Sequence, residues 1–268
     1  DSRRKVSDRD AARLREHLDP DIKTVGVFVD DDPKHIAALV RDEVIDLVQL
    51  HGGESVRYIE KRREMIDAPI IYAGRVESRR DIEEADRLPV DYLLLDTYTK
   101  HAYGGSGKTF DWSLIGEGKR NPRMHIPIIG NGDVDSGPKA AEMFDRYGVD
   151  GVMIGRATYG RPWIFREVKH YLATGEVLPQ PSVCERVEIA KEHLRKSLEI
   201  KGEYVGILEM RRHLSNYFKG LPDFKPTRLK LVTLLDIPEL FATLDSIAER
   251  WGDFDTSQVV PAPLSHEL

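Results

Sequence analysis

Asp96 closes the apolar run DYLLLD (91–96). A carboxylate at the tip of a buried strand is placed for proton transfer, or for capping the loop that follows, and position alone does not separate the two. His51 closes a similar run, DLVQLH (46–51), and is a candidate to line the same site. Two further runs end in glycine turns. IPIIGNGDVD places Asn131, Gly132 and Asp133 after one strand, and GVDGVMIGR places Gly155 and Arg156 after the next. Backbone amides in such turns suit a phosphate, and Arg156 adds a charge-assisted donor. The stretch YGGSGKT (103–109) resembles a nucleotide phosphate loop, but Ala102 stands where the first glycine is needed and FDW, rather than a helix, follows. Asp133 and Asp135 have the spacing of a calcium loop without its remaining ligands, so no metal is expected. His101, His125, His170, His193 and His213 lack metal-ligand spacing and read as surface or capping groups. Cys184 is the single cysteine, which excludes an internal disulfide framework and points to a reducing, cytoplasmic setting.

These residues need strands to carry them. Six nearly continuous apolar runs, at 24–29, 46–51, 69–73, 91–96, 127–130 and 151–154, read as strands buried on both faces. Helical patterns separate them, with starts expected at Asp32-Pro33, Gly53-Glu54, Ser78 and Asp135-Ser136. Repeated strand–helix units imply an α/β fold with a parallel sheet, either a doubly wound sheet or a (β/α)8 barrel. After Gly155 the strands stop. Helices are expected over 163–171, 183–200, 204–218, 227–234 and 238–251, and Ser182 with Glu185 has the pattern of a capping box. The chain has 268 residues and a formal net charge of −6, which argues against a generally basic nucleic-acid coat. Residues 183–230 depart from this balance, with eleven Lys/Arg against seven Asp/Glu. Arg211, Arg212, Lys219, Lys225, Arg228 and Lys230 lie there beside Tyr217 and Phe218, a mixture that suits RNA, although the two aromatics judged alone read as core. No apolar run is long enough to span a membrane.

The motifs SRRKVS (2–7), VGVFVD (25–30), LVQLHG (47–52), DYLLLDT (91–97) and GGSGKTFDW (104–112) resemble phosphoribosylanthranilate isomerase of tryptophan biosynthesis, over about residues 1–115. The resemblance implies a (β/α)8 barrel working by acid–base catalysis on a phosphoribosyl ligand. In it Asp96 matches the general acid and Arg4 the arginine that binds the substrate's carboxylate. The family's general-base cysteine, on its first strand, matches no residue here. From about Asp111 to Trp251 the chain resembles a bacterial tRNA-dihydrouridine synthase instead, in IPIIGNGDVD, GVDGVMIGR, GRPWIF and MRRHLSNYFKG. That family is an FMN-dependent barrel followed by a helical tRNA-binding domain, recharged by NADPH. The resemblance assigns Asn131, Gly132, Asp133, Gly155 and Arg156 to the FMN phosphate, and Arg211, Arg212, Lys219 and Arg228 to tRNA. The synthase's proton-donating cysteine, and the lysine and histidine beside its flavin, lie on strands that are isomerase-like here.

The expected organisation is therefore a barrel-derived region over 1–177, isomerase-like to 115 and synthase-like from 116 to 177. A helical tRNA-binding domain over 178–252 and a disordered tail over 253–268 complete it. The first two barrel strands are expected to be missing, leaving open edges through which two copies pair. The leading functional expectation is a synthase-like flavoprotein of impaired catalysis. The alternatives are the isomerase and a non-catalytic phosphate- or RNA-binding module.

Overall fold

The computed structural model describes residues 5–51, 53–97, 114–115, 126–131 and 134–258, without the side chains of Arg75, Asp96 and Thr97. It is an α/β protein with a six-stranded parallel sheet and ten α-helices among the described residues. The strands are β1 (Val25–Phe28), β2 (Leu47–Leu50), β3 (Ile70–Val76), β4 (Tyr92–Thr97), β5 (Ile128–Asn131) and β6 (Gly151–Met153), paired in sequence order. That is the arrangement of a partial (β/α) barrel.

Helices α2 (Pro33–Arg41), α3 (Val56–Arg63), α4 (Arg79–Ala85) and α5 (Gly137–Tyr147) connect the strands. Asp32 caps α2 and Ser78 forms a capping box with Asp81, as the sequence pattern requires. The cap of α3 is Ser55, not the Gly53-Glu54 pair, because the Ser55 hydroxyl accepts the Tyr58 amide. Helix α1 (Asp8–Glu16) was not expected. It buries none of its residues, so no apolar face announces it, although Ser7 caps it.

One device recurs at the N-terminal ends of the strands. An aspartate just before one strand accepts the amide at the start of the preceding strand. Asp46 takes Thr24 N–H at 2.7 Å, Asp91 takes Ile70 N–H at 2.6 Å, and Asp150 takes Ile128 N–H at 2.9 Å. Each satisfies a donor that the ladder leaves unpaired.

The chain divides into two compact units, and the second comprises 135–137 and everything from Gly155 onward. The division therefore lies at 154/155, and the boundary expected at 177/178 falls inside the second unit. This unit holds α6 (Ile164–Thr174), α7 (Val183–Lys201), α8 (Glu203–Tyr217), α9 (Lys225–Thr233) and α10 (Ile237–Trp251). The Ser182–Glu185 capping box opens α7. Its core joins Leu194, Leu214, Phe218, Leu244 and Trp251. Tyr217 and Phe218 are buried in it, in keeping with their reading as core. Order continues past Asp253. Phe254 packs against the core and Thr256 is buried, so the segment through Gln258 is not a frayed tail, while 259–268 lie outside the described residues.

Candidate functional site

In the first unit, register places the candidates at the C-terminal ends of the strands. Asp96 of β4 pairs with Arg75 of β3, and Asn131 of β5 pairs with Met153 of β6. Arg75 was not among the sequence candidates. The signal that singles out Asp96, a charged residue at the end of an apolar run, applies equally to it. Below this row, Ala73, Leu94 and Ile129 occupy one register line, and Ile71, Ala73 and Leu94 form a buried apolar floor. His51 continues the β2 ladder by donating its amide to the Phe28 carbonyl at 2.9 Å. Its Nδ1 lies 3.1 Å from the buried Gln49 amide nitrogen. Arg4, Gly132 and Asp133 lie outside the described residues, as does the glycine loop at 103–109.

The second unit opens on Gly155 and Arg156. Arg156 begins a short 3-10 turn in which Thr158 donates both its amide (3.0 Å) and its hydroxyl (2.8 Å) to the Gly155 carbonyl. Gly155 is exposed, and nothing lies within 4 Å of where a Cβ would sit. Its backbone is open to a ligand. The turn then packs on α8. Gly160 has φ +65°, and a Cβ there would stand 2.5 Å from the Tyr217 nitrogen. Only glycine fits this close approach. Arg212 lies 5.1 Å over the Tyr159 ring and donates to its hydroxyl at 3.2 Å.

Beside this contact sit two histidines. Their rings are 4.6 Å apart; His193 Nδ1 is 3.0 Å from the Tyr217 hydroxyl, and His213 Nδ1 accepts the Gly160 amide at 3.4 Å. Burial pushes both imidazoles down, His213 to about 4, with His193, Arg212 and Lys201 adding to its shift. The reading of these histidines as surface or capping groups is therefore corrected. They are partners brought together by the return of the chain from α7 to α8, which no local spacing reveals.

The basic residues of this unit divide by role. Arg211 donates to the Thr233 carbonyl at the end of α9, at 3.3 Å, and Arg212 is engaged with Tyr159. Lys219, Lys225, Arg228 and Lys230 are exposed, and among the described residues they form no ion pair. Cys184 is exposed in the first turn of α7. No group of three or more His, Cys, Asp or Glu among the described residues is arranged to hold a metal. No described helix is long and apolar enough to cross a membrane.

Two family models match the chain. That of dihydrouridine synthase covers residues 99–244, and that of N-(5'-phosphoribosyl)anthranilate isomerase covers 1–150. The chain belongs to both families. Its relatives divide accordingly. A probable tRNA-dihydrouridine synthase of Rickettsia conorii is 39% identical over 139 residues, which are 52% of this chain and 40% of that protein. An N-(5'-phosphoribosyl)anthranilate isomerase of Endomicrobium trichonymphae is 41% identical over 148 residues, 55% of this chain and 70% of that protein. The crystal structure of phosphoribosylanthranilate isomerase from Thermotoga maritima superposes with a TM-score of 0.52 at 29% identity, covering 63% of this chain and 83% of that one. The chain thus joins an isomerase-like sheet to a synthase-like second half, and the two models overlap over 99–150.

Proposed function

We propose that the chain is a hybrid whose second unit keeps the RNA- and phosphate-binding parts of a tRNA-dihydrouridine synthase, while the first unit supplies an isomerase-like sheet. The observation that carries this reading is the exposed set Lys219, Lys225, Arg228 and Lys230, unpaired among the described residues of a chain with net charge −6. Exposed basic side chains kept free of carboxylates serve phosphodiesters by releasing counterions. The partner is then tRNA. Filter binding across a salt series tests this. Lys219→Ala and Arg228→Ala should each lower the magnitude of the salt slope by about 1 while leaving the fold intact. Salt-independent binding, or slopes unchanged in both variants, would refute it.

The Gly155–Arg156 turn fits the phosphate end of FMN. The glycine backbone is open, and the arginine beside it provides a charge-assisted donor. In the synthase family FMN is recharged by NADPH; held here by Gly155 and Arg156, it would supply hydride for reduction of a uridine. The residues of this chain bind and orient it through its phosphate. FMN should therefore bind more tightly than riboflavin, and Arg156→Ala should remove about a tenfold preference, as loss of a charged hydrogen bond does. Calorimetry with both ligands and with inorganic phosphate reads this directly. Equal affinity for FMN and riboflavin in the unaltered protein would count against the site.

Turnover is a separate matter. The single cysteine, Cys184, sits on α7 of the helical unit and cannot stand in for a cysteine on a barrel strand. We expect these 268 residues alone to show no more than trace uridine reduction, because absence of one general acid or base costs about 10²–10⁴-fold. The isomerase reading is favoured by one observation, the register pairing of Asp96 with Arg75 at the C-terminal end of the sheet. A proton donor and a cationic residue type on that register row would suit an anionic phosphoribosyl substrate. Its activity is likewise expected at trace level, and wild-type-like turnover in either assay would overturn this account.

A further inference from the structure

The segment 155–161 leaves Gly155 exposed and Arg156 partly exposed, and is itself held from behind. Three contacts hold it on α8: the Arg212–Tyr159 pair, the close approach of Gly160 to the Asn216–Tyr217 backbone, and the Gly160 amide on His213 Nδ1 at 3.4 Å. The first two are packing and a surface contact. The third is different, because it exists only while Nδ1 carries no proton. An imidazole accepts at one nitrogen only in its neutral form.

We infer that His213 is a positioning residue, which in its neutral form docks the 155–161 turn on α8 through the Gly160 amide and so fixes where Arg156 is presented. The docking itself stands on the geometry; its consequence for ligand binding rests on the phosphate reading above.

The surroundings make the neutral form the resting one. His193 and Lys201 face His213 from α7, Arg212 and Glu209 from α8, and the Tyr159 ring meets it edge-on at 5.5 Å from the turn. Of these, only Glu209 favours a charged ring, and it is paired with Lys201. His193 cannot relieve the site. It is held on the Tyr217 hydroxyl and is itself pushed toward neutrality by burial. A proton entering the pair therefore lands in a half-buried, net basic environment and removes the acceptor of Gly160 at the same time.

The sign follows. His213 has a folded-state value depressed to about 4, against an ordinary value of 6.5. Its contribution to docking is complete above about pH 6.5, declines as pH falls below that, and is gone once pH passes below 4. Acid should release the turn before it unfolds the helices.

Two variants separate positioning from bulk packing. In His213→Asn the side-chain oxygen can take the place of Nδ1 and has no proton to gain. In His213→Leu the volume is kept and the acceptor is lost. Amide NMR of the full chain should show the Gly160 amide and the indole of Trp163, whose ring lies 5.9 Å from that of Tyr217, moving together with the His213 ring as pH falls from 6.5 through a midpoint near 4. In His213→Asn both should stay near their neutral-pH positions across that range. In His213→Leu the Gly160 amide should exchange about five-fold faster at neutral pH, the loss of one hydrogen bond. FMN affinity should fall with acid more steeply in the unaltered protein than in His213→Asn, which keeps only the fall caused by protonation of the FMN phosphate, and should already be lowered at neutral pH in His213→Leu. A Gly160 amide that titrates identically in His213→Asn, or is unchanged in His213→Leu, would overturn the inference. If the unaltered protein binds neither FMN nor inorganic phosphate at any pH, the phosphate reading fails, and the Gly160 signal alone decides the docking.

Discussion

At the scale of single residues, Gly160 is the position with the least freedom. Its φ of +65° disfavours any side chain, and a Cβ would meet backbone atoms of Asn216 and Tyr217 at 2.7 and 2.5 Å. Backbone cannot swing aside as a flexible side chain can. Gly160→Ala should therefore cost more than the usual αL penalty, about 2–4 kcal/mol. Urea unfolding followed by tryptophan fluorescence would measure it. A loss under 1 kcal/mol would mean that the turn is not seated on α8. Asp96 makes a contrasting case at the same scale. Its place at the end of an apolar run was legible, but its register opposite Arg75 was not, because register between strands is set by pairing across twenty residues of intervening chain.

At the scale of elements, what was readable followed burial. All six strands were anticipated, within a few residues at their ends, because each is written as a nearly continuous apolar run; β1 and β6 depart from the two-sided burial that such runs imply, with Val25, Val27 and Met153 exposed. Helix α1 was missed for the converse reason, since nothing in it is buried. The histidine pair was missed because its members lie on different helices and only the α7–α8 return joins them. The aspartates at the strand starts lie between these extremes: they repeat as Val/Ile-Asp before β2, β4 and β6, yet their role appears only with the sheet formed. Asp46 shows what the device contributes. Its carboxylate is held below the usual range chiefly by the Thr24 amide, with the Thr24 hydroxyl, Arg15 and Lys23 assisting. A depressed carboxylate stabilises the fold above its ordinary value near 4 and loses that contribution as pH falls through the depressed one. Asp46→Asn should cost about 1–2 kcal/mol at pH 7 and progressively less toward pH 3. Urea midpoints at the two pH values check the trend, and a cost that grows with acid would reverse the assignment.

At the scale of the whole molecule, the sheet carries a consequence for assembly. Among the described residues β1 pairs only with β2, and β6 only with β5. Strand number, tilt and stagger are linked in a barrel, and six parallel strands do not satisfy the usual eight-stranded closure. The face of β1 that would turn inward is uncovered: Val25, Val27 and Val29 are 41%, 58% and 49% exposed, whereas Phe28, on the opposite face, is buried. At β6, Met153 is 40% exposed. Apolar side chains beside unpaired backbone donors and acceptors form a template for another strand. These 268 residues taken alone should therefore associate through these edges, as a dimer or as larger and poorly soluble species. Val27→Lys, which places a charge in the middle of the β1 edge, should shift the population toward monomer without loss of the helical unit. Size-exclusion chromatography with light scattering measures the first effect, and hydrogen exchange of β1 and β6 localises it. Protection of both strands should rise with protein concentration, since the partner that covers them is another copy. A stable monomer in which β1 and β6 are strongly protected at every concentration would show that the chain covers its own edges and would end the open-edge account.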